Sequence, residues 1–238
     1  MNRSNGRKNN ELRPIRFEVD FMKFAQSSVL SCYGDTRVIV SATLENDVPA
    51  FLKEREEGWI TAEYGLLPAS CGKRIQRPVK GIDGRSQEIQ RLIGRTLRVV
   101  VDRKLFPGCS IVIDCDVLQG DGGTRTAAIS GSILAVRRLF DSLLKKGEIS
   151  EHPARTLLGA VSVGIVNGNI LLDLDYSEDS QAEVDMNLVM TEKGEWIELQ
   201  GTAEKQPFSH QQLSGMLDFG EQGIKEIMEI QRQVLTCC

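Results

Sequence analysis

The chain passes from a strand pattern to a helix pattern across a turn that contains three glycines. Residues 111–118 alternate apolar with polar side chains, and residues 126–145 repeat apolar side chains at three- and four-residue steps. The turn at 120–123 reads Gly-Asp-Gly-Gly. Glycine lets the backbone close on a ligand, and a helix N-terminus favours an anion. With Arg125 beside it, the turn predicts a phosphate site; the alternative is a structural turn next to an exposed arginine.

Strand patterns followed by a helix pattern occur in both halves of the chain. In the first half, strand-like runs at 17–43 and 59–64 precede a helical run at 86–101. In the second half, two further hairpin patterns follow at 161–174 and 186–200. This order is typical of an α+β fold in which sheets and helices share one core.

A capping box at Ser209–Gln212 predicts the start of the C-terminal helices. Because both halves have the same order of patterns, we predict one compact domain, residues 1–238, built from two similar lobes. The domain divides into an irregular arm and the two lobes: 1–14, about 15–105 and about 106–235.

Composition favours an ordinary globular protein, with 41% hydrophobic and 26% charged residues. No apolar run approaches the roughly 20 residues of a membrane span, and the polar N-terminus is unlike a secretory signal. Six cysteines, including the pair Cys237 and Cys238, fit no zinc spacing. We therefore expect free thiols in a reducing, cytoplasmic compartment and no membrane contact.

Charge is segregated along the chain, although the net charge is only −4. Residues 73–103 contain nine bases and three acids, whereas residues 173–204 contain ten acids and one base. The low net charge excludes a uniformly basic nucleic-acid binder. One segment suits anions and the other cations, as metal-assisted phosphate chemistry requires; solvated charged faces are the alternative.

Six carboxylates form what we call the acidic strip: Asp173, Asp175, Glu178, Asp179, Glu183 and Asp185. Such clustering requires a cation, a proton or ample solvent to relieve repulsion. Mg²⁺ is often held by one or two carboxylates plus substrate phosphate. Asp185 precedes an apolar strand, so it is the best placed to act as a general acid if its pKa is raised. The alternative is a solvated acidic turn.

Seven ordered segments together resemble the ribonuclease PH family of phosphate-dependent 3′ exoribonucleases. They span most of the chain: Gly34–Arg37, Gly58–Pro68, Gly84–Arg95, Asp114–Thr126, Leu172–Ser180, Asp185–Asn187 and Gln200–Glu204. The resemblance implies the RNase PH-like fold, which is ribosomal protein S5 domain 2-like, with two pseudo-repeated ββαβα-type lobes.

The resemblance also implies roles for individual residues. Four would bind inorganic phosphate: Arg85, Gly123, Thr124 and Arg125. Two would be the catalytic carboxylates and hold Mg²⁺: Asp179 and Asp185. Two would guide the RNA 3′ end, Arg74 and Arg77, both in the long polar loop Pro68–Gly84, which we call the basic loop.

The implied reaction is attack of phosphate on the terminal phosphodiester of RNA, which releases a nucleoside diphosphate and is reversible as nucleotide addition. The implied substrate is the 3′ end of tRNA precursors, with rRNA left open, and the implied assembly is a homohexamer built as a trimer of dimers. Two alternatives are a catalytically silent RNA-binding ring subunit and a metal-dependent hydrolase. The enzyme is favoured because the arginines and aspartates of both implied sites are present.

Overall fold

Strands β1 to β5 form the first sheet in this computed structural model, which describes residues 3, 6–77, 81 and 83–236. Their bounds are Ile15–Val19, Ser27–Tyr33, Thr36–Glu45, Trp59–Leu66 and Ser110–Gln119. The order across the sheet is β1-β2-β3-β5-β4, and only the β4–β5 pair is parallel. Helix α1, Gly84–Val100, supplies the crossover that a parallel pair requires.

Strands β6 to β9 form a second, antiparallel sheet in the order β7-β6-β8-β9. Their bounds are Leu158–Val166, Asn169–Leu172, Val184–Thr191 and Trp196–Ala203. Helix α2 spans Thr124–Lys146, the short α3 spans Tyr176–Asp179, and α4 spans His210–Thr236. Both predicted hairpins of this half are confirmed, with tight turns between β6 and β7 and between β8 and β9.

The change from the first sheet to the second comes later in the sequence than we predicted. The lobe boundary was placed near residue 105, which assigns β5 to the second lobe. In the structure β5 lies between β3 and β4, in the first sheet. Hydrophobic periodicity marks β5 as a strand but carries no information about its partners, so the change of sheet falls after α2.

Helix α2 lies against both sheets, and its small residues permit this close packing. Ser31 of β2 donates a hydrogen bond to the backbone carbonyl of Ala127 at 2.8 Å. Tyr33, also of β2, donates to Ser130 at 2.8 Å and to the carbonyl of Ala160 in β6 at 3.1 Å. One continuous core of buried side chains extends across both sheets. Helix α2 therefore joins the two sheets in one core.

The C-terminal pattern forms one long helix, α4, where the sequence suggested several. The predicted capping box is present: the Ser209 amide donates to Gln212 at 2.8 Å, and the Gln212 amide donates to Ser209 at 3.2 Å. The helix continues through three glycines, Gly215, Gly220 and Gly223, which pack against the second sheet where a side chain would have no room. A Cβ at Gly220 would lie 2.1 Å from Leu188 of β8. None of the described helices is long and apolar enough to cross a membrane.

The predicted arm is irregular and docks on the second sheet, where the amide of Leu172 donates to the carbonyl of Asn9 at 2.7 Å. Lys80 of the basic loop and the pair Cys237 and Cys238 lie outside the described residues.

Candidate active site

All six residues predicted for phosphate and catalysis line a single cleft of about 210 Å³. The phosphate set contributes Arg85, Gly123, Thr124 and Arg125, and the carboxylate set contributes Asp179 and Asp185. Side chains from both sheets and from the basic loop complete the lining: Leu66, Cys71, Ile75, Ser162, Tyr176 and Asn187. The structure therefore brings together residues that lie about a hundred positions apart in the sequence.

The glycine turn, residues 120–123, adopts a conformation that suits glycine. Gly122 and Gly123 have φ angles of 76° and 65°, in the left-handed region. A Cβ at Gly122 would lie 2.5 Å from the carbonyl oxygen of Leu174, so a side chain has no room there. Consecutive residues of this kind expose successive backbone N–H groups, and such a concavity binds anions.

The N–H groups at the start of α2 are available to a ligand. Among the described residues, no acceptor receives a hydrogen bond from the backbone N–H of residues 122–125. These are the groups that a helix N-terminus leaves unpaired, and they carry the positive end of the helix dipole. The hydroxyl of Tyr64 donates to Thr124 at 2.8 Å, which fixes the Thr124 side chain at the edge of the cleft. An anion could bind to these N–H groups, but phosphate binding at the turn stays a prediction.

Two helix starts carry the cleft arginines. Arg85 is the second residue of α1, whose N-cap Asp83 accepts a hydrogen bond from the Ser86 amide at 3.0 Å. Arg125 is the second residue of α2 and donates to Gln200 of β9 at 2.9 Å. Its guanidinium is therefore oriented from the second sheet. Two cations beside unpaired N–H groups make this end of the cleft suitable for a phosphate dianion.

Asp179 and Asp185 form the acidic side of the cleft. Burial, reinforced by the charge of Asp179, raises the pKa of Asp185 to about 6, although Arg125 and a hydrogen bond from Asn187 oppose the rise. Burial also raises the pKa of Asp179, against the opposing charges of Arg85 and Arg125. Asp185 is therefore able to hold or release a proton near neutral pH, as a general acid must.

The acidic strip is not one surface, because arginines of the arm neutralise two of its six carboxylates. Asp173, fully buried, pairs with Arg13 at 2.7 Å, and Glu178 pairs with Arg3 at 2.7 Å. Asp173 and Glu178 therefore do not belong to a solvated acidic turn, because buried arginines neutralise them. The sequence hides this pairing, since Arg3 and Glu178 lie 175 positions apart.

Arg74 and Arg77, predicted to guide RNA, are exposed and flank the cleft without lining it. Ile75 between them does line the cleft, and its amide donates to the carbonyl of Pro68 at 2.8 Å. Arg77 is close enough to Asp116 to affect its ionisation: burial raises the pKa of Asp116, and the positive charge of Arg77 opposes part of that rise. Their predicted role in RNA guidance stays a prediction.

The sequence analysis missed two residues that shape the cleft. Tyr176 begins α3 with a side chain that is 64% exposed at the cleft, and its amide donates to Asp121 of the glycine turn at 3.3 Å. Asn187 approaches Asp185 at 3.5 Å. The signal for Asn187 was available, since residues 185 and 187 of a strand share a face.

A cation in the cleft would depend on few protein ligands. No group of three or more His, Cys, Asp or Glu that could hold a metal occurs in the described part of the chain. Asp179 and Asp185 interact electrostatically and offer carboxylate oxygens, the ligand type of Mg²⁺. A pair of carboxylates that is completed by water and substrate phosphate fits this ion.

A cleft in which an anion-binding turn faces paired carboxylates is characteristic of a phosphoryl-transfer enzyme. The models of the 3′ exoribonuclease family, domains 1 and 2, match residues 11–139 and 156–223. The chain belongs to this 3′ exoribonuclease family. The gap between the two matches, residues 140–155, contains the end of α2, and the strands of the second sheet begin just after it.

Individual relatives agree with the family assignment. Ribonuclease PH of Moorella thermoacetica is 53% identical over 237 residues, which cover 99% of this chain and 95% of that protein. The resemblance indicated by the seven segments is thereby confirmed.

Two solved structures share the fold at low sequence identity. Rice (Oryza sativa) Rrp46 has a TM-score of 0.78 at 20% identity and covers 98% of this chain and 100% of its own. An Archaeoglobus fulgidus exosome with RNA bound to the active site has a TM-score of 0.81 at 21% identity, with 95% and 91% covered. The predicted RNase PH-like α+β fold is confirmed.

Replacing Asp185 by Asn should stabilise the protein at neutral pH. The folded state binds the Asp185 proton more tightly than the unfolded chain, so its ionisation costs stability as pH rises from about 4 to about 6. A shift of about two pKa units corresponds to at most about 3 kcal/mol. We expect Asp185→Asn to increase the free energy of unfolding at pH 7.5 but not at pH 4, as measured by denaturant titration without phosphate or Mg²⁺.

Asp218→Asn, which removes an exposed carboxylate from α4, is the control for the loss of one charge. An equal effect of Asp185→Asn at both pH values would contradict the raised pKa of Asp185.

Proposed function

We propose that this exoribonuclease is phosphorolytic: it uses inorganic phosphate to remove nucleotides from the 3′ end of tRNA precursors, with nucleotide addition as the reverse reaction. The observation that carries the proposal is the two-sided cleft. Arg85, Arg125 and the glycine turn form an anion site opposite Asp179 and Asp185, whose carboxyls have raised pKa values. A hydrolase has no need of a site for a second phosphate.

Phosphate has to approach an RNA diester that is already negatively charged. Phosphoryl transfer depends mainly on positioning and charge neutralisation. Arg125, held by Gln200, and Arg85 reduce the repulsion between the two anions. The N–H groups of Gly122 and Gly123 hold the attacking phosphate in a fixed orientation.

The leaving group is the 3′ oxygen of the penultimate ribose, which requires a proton. Asp185 lies on the rigid strand β8 and has a pKa of about 6, so in its protonated form it can deliver that proton directly; in its ionised form, the form that can hold a cation, it instead orients a water that delivers the proton. Asn187 holds the Asp185 carboxyl at 3.5 Å.

We further propose that Asp179 and Asp185 hold Mg²⁺ together with substrate phosphate. When bound, Mg²⁺ would neutralise charge on the phosphoryl oxygens and orient them. Because the two carboxyls have raised pKa values, protons compete with the ion at low pH.

Arg74 and Arg77, at the rim of the cleft, are proposed to contact the phosphates of the incoming RNA strand. Both are exposed on the basic loop that reaches the cleft through Ile75. Such contacts attract RNA without reading its sequence.

The assembly we propose is a homohexamer, arranged as a trimer of dimers. Two structural relatives are exosomes, one of them an archaeal exosome core. Several large apolar side chains are exposed, among them Phe24, Phe51, Val99 and Leu199. Strand β9, which carries Leu199, is an edge of its sheet. An exposed sheet edge with apolar side chains is suited to cover by another chain.

The cysteines support a reducing, cytoplasmic compartment. The four within the described residues are free thiols: Cys32, Cys71, Cys109 and Cys115. Two of them are buried, as expected of cysteines that serve as small apolar side chains.

Removing Arg125 should abolish phosphate-dependent cleavage while RNA binding survives. We expect wild-type protein with 3′-tailed RNA and Mg²⁺ to release nucleoside diphosphates only when phosphate is added. In Arg125→Ala, kcat/KM for phosphate should fall ~10²–10³-fold, the loss typical of a preorganised charge-stabilising contact.

Arg74→Ala and Arg77→Ala are the matched controls, since each removes one arginine near the cleft but should raise KM for RNA and not for phosphate. Phosphate-dependent activity in Arg125→Ala would contradict the phosphate site. Monophosphates formed by the wild type without phosphate would indicate a hydrolase, and no product at all a silent RNA-binding subunit.

Asp179→Asn should weaken Mg²⁺ binding in the presence of phosphate by at least ~10-fold, the loss typical even of residues behind metal ligands. Titration calorimetry measures this directly. For the wild type, affinity should decrease as pH falls through about 6, because Asp185 takes up a proton. Glu183→Gln is the control, since Glu183 is in the acidic strip but does not line the cleft. Equal losses in both variants would refute the assignment.

Light scattering coupled to size-exclusion chromatography tests the assembly. The expected mass is about 158 kDa, six chains of 26.4 kDa. If the β9 edge is an interface, Leu199→Glu should lower that mass, because it places a charge among apolar contacts. A wild-type mass of one chain would exclude the proposed hexamer.

A further inference from the structure

The side chain of Arg13 connects the arm to the glycine turn. We propose that Arg13 is a positioning residue that aims the N–H groups of the glycine turn at the attacking phosphate. This inference rests on the phosphorolytic function proposed above. Arg13 does not line the cleft, so it acts through the backbone it holds and not by touching phosphate.

Arg13 is itself fixed by a single carboxylate. Its backbone amide donates to Asp173 at 2.8 Å, and its guanidinium donates two further hydrogen bonds to the two oxygens of Asp173 at 3.0 and 2.7 Å. Arg13 is 5% exposed and Asp173 is fully buried. A bidentate pair of this kind has one geometry, which makes Arg13 a rigid support.

The rest of the guanidinium binds the glycine turn. Nη1 donates to the carbonyl of Asp121 at 2.5 Å, and Nη2 donates to the carbonyl of Gly122 at 3.4 Å. Thr36 donates to the same Gly122 carbonyl at 2.6 Å. The carbonyls of Asp121 and Gly122 are therefore directed toward the arm and β3.

Fixing those carbonyls also fixes the direction of the next N–H groups. In a trans peptide the C=O of one residue and the N–H of the following residue point in opposite directions. The N–H groups of Gly122 and Gly123 thus point away from Arg13, and both glycines line the cleft. These are groups without an acceptor in the described part of the chain.

The close approach of Arg13 to the turn depends on glycine. A Cβ at Gly123 would lie 3.0 Å from Nη2 of Arg13. Positive φ and this contact both favour glycine at position 123, so the turn and the arm constrain each other.

A purely structural role for Arg13 predicts a different kinetic result. A less stable fold reduces the amount of active enzyme and lowers the apparent kcat, but leaves KM for phosphate unchanged. A displaced turn raises KM for phosphate in the molecules that are folded. The two parameters therefore separate positioning from stability.

The test is Arg13→Lys, which keeps the charge beside Asp173 but cannot reproduce the forked contacts to the turn. We expect KM for phosphate to rise about tenfold or more, since a misplacement of ~1 Å can cost ~100-fold. KM for RNA should change little.

Arg3→Lys is the matched control. Arg3, which is also in the arm, is as buried as Arg13, at 6% exposed, and it pairs with Glu178 of α3. Its hydrogen bonds within the described residues go to Glu178 and to carbonyls outside the glycine turn. It should lose comparable stability with no change in KM for phosphate.

If Arg13→Lys does not fold, the double variant Arg13→Met/Asp173→Asn removes both charges together and avoids an unpaired buried carboxylate. An unchanged KM for phosphate in the folded variant overturns the positioning role, and so does an equal rise in Arg3→Lys. Failure of the proposed function is recognised separately, because the wild type would then show no phosphate-dependent product.

Discussion

The packing of α2 between the two sheets is the constraint on which the rest of the structure depends. Small side chains let the helix approach both sheets, and Tyr33 spans from the first sheet through Ser130 to Ala160 of the second. The buried amide of Gln231 in α4 donates to the Ser130 carbonyl at 2.9 Å, so the last helix is tied to the same place. Because α2 is fixed along its length, its N-terminus is held at the cleft.

The cleft derives its chemistry from the opposition of two unlike segments. The first lobe contributes helix starts and arginines, and the second contributes carboxylates on a short helix and a strand. Each side modifies the other: Arg125 opposes the rise in the pKa of Asp185, and Gln200 orients Arg125. Neither lobe alone has a charge-balanced site.

Much of the fold was accessible from the sequence, because periodicity and turn residues are local signals. The strands, the Gly-Asp-Gly-Gly turn and the Ser209 capping box are all of this kind. The placement of β5 was not accessible, since strand pairing depends on contacts between distant residues. The pairing of Asp173 with Arg13 was missed for the same reason, at a separation of 160 residues.

The six carboxylates of the acidic strip lie in one short segment of the sequence, but in the structure they have different partners. Asp173 and Glu178 became partners of buried arginines, whereas Asp179 and Asp185 remained in the cleft. In the sequence, the position before an apolar strand distinguished Asp185, and the family resemblance singled out both Asp179 and Asp185; their catalytic role stays a prediction.

The docking of the arm has a consequence for the order in which the molecule is made. Arg3 and Arg13 leave the ribosome at least 160 residues before their partners Glu178 and Asp173. Contacts of such separation form late, because a long loop must close first. A nascent chain therefore cannot join Arg13 to Asp173, or fix the glycine turn through that pair, until the second half of the chain has been translated.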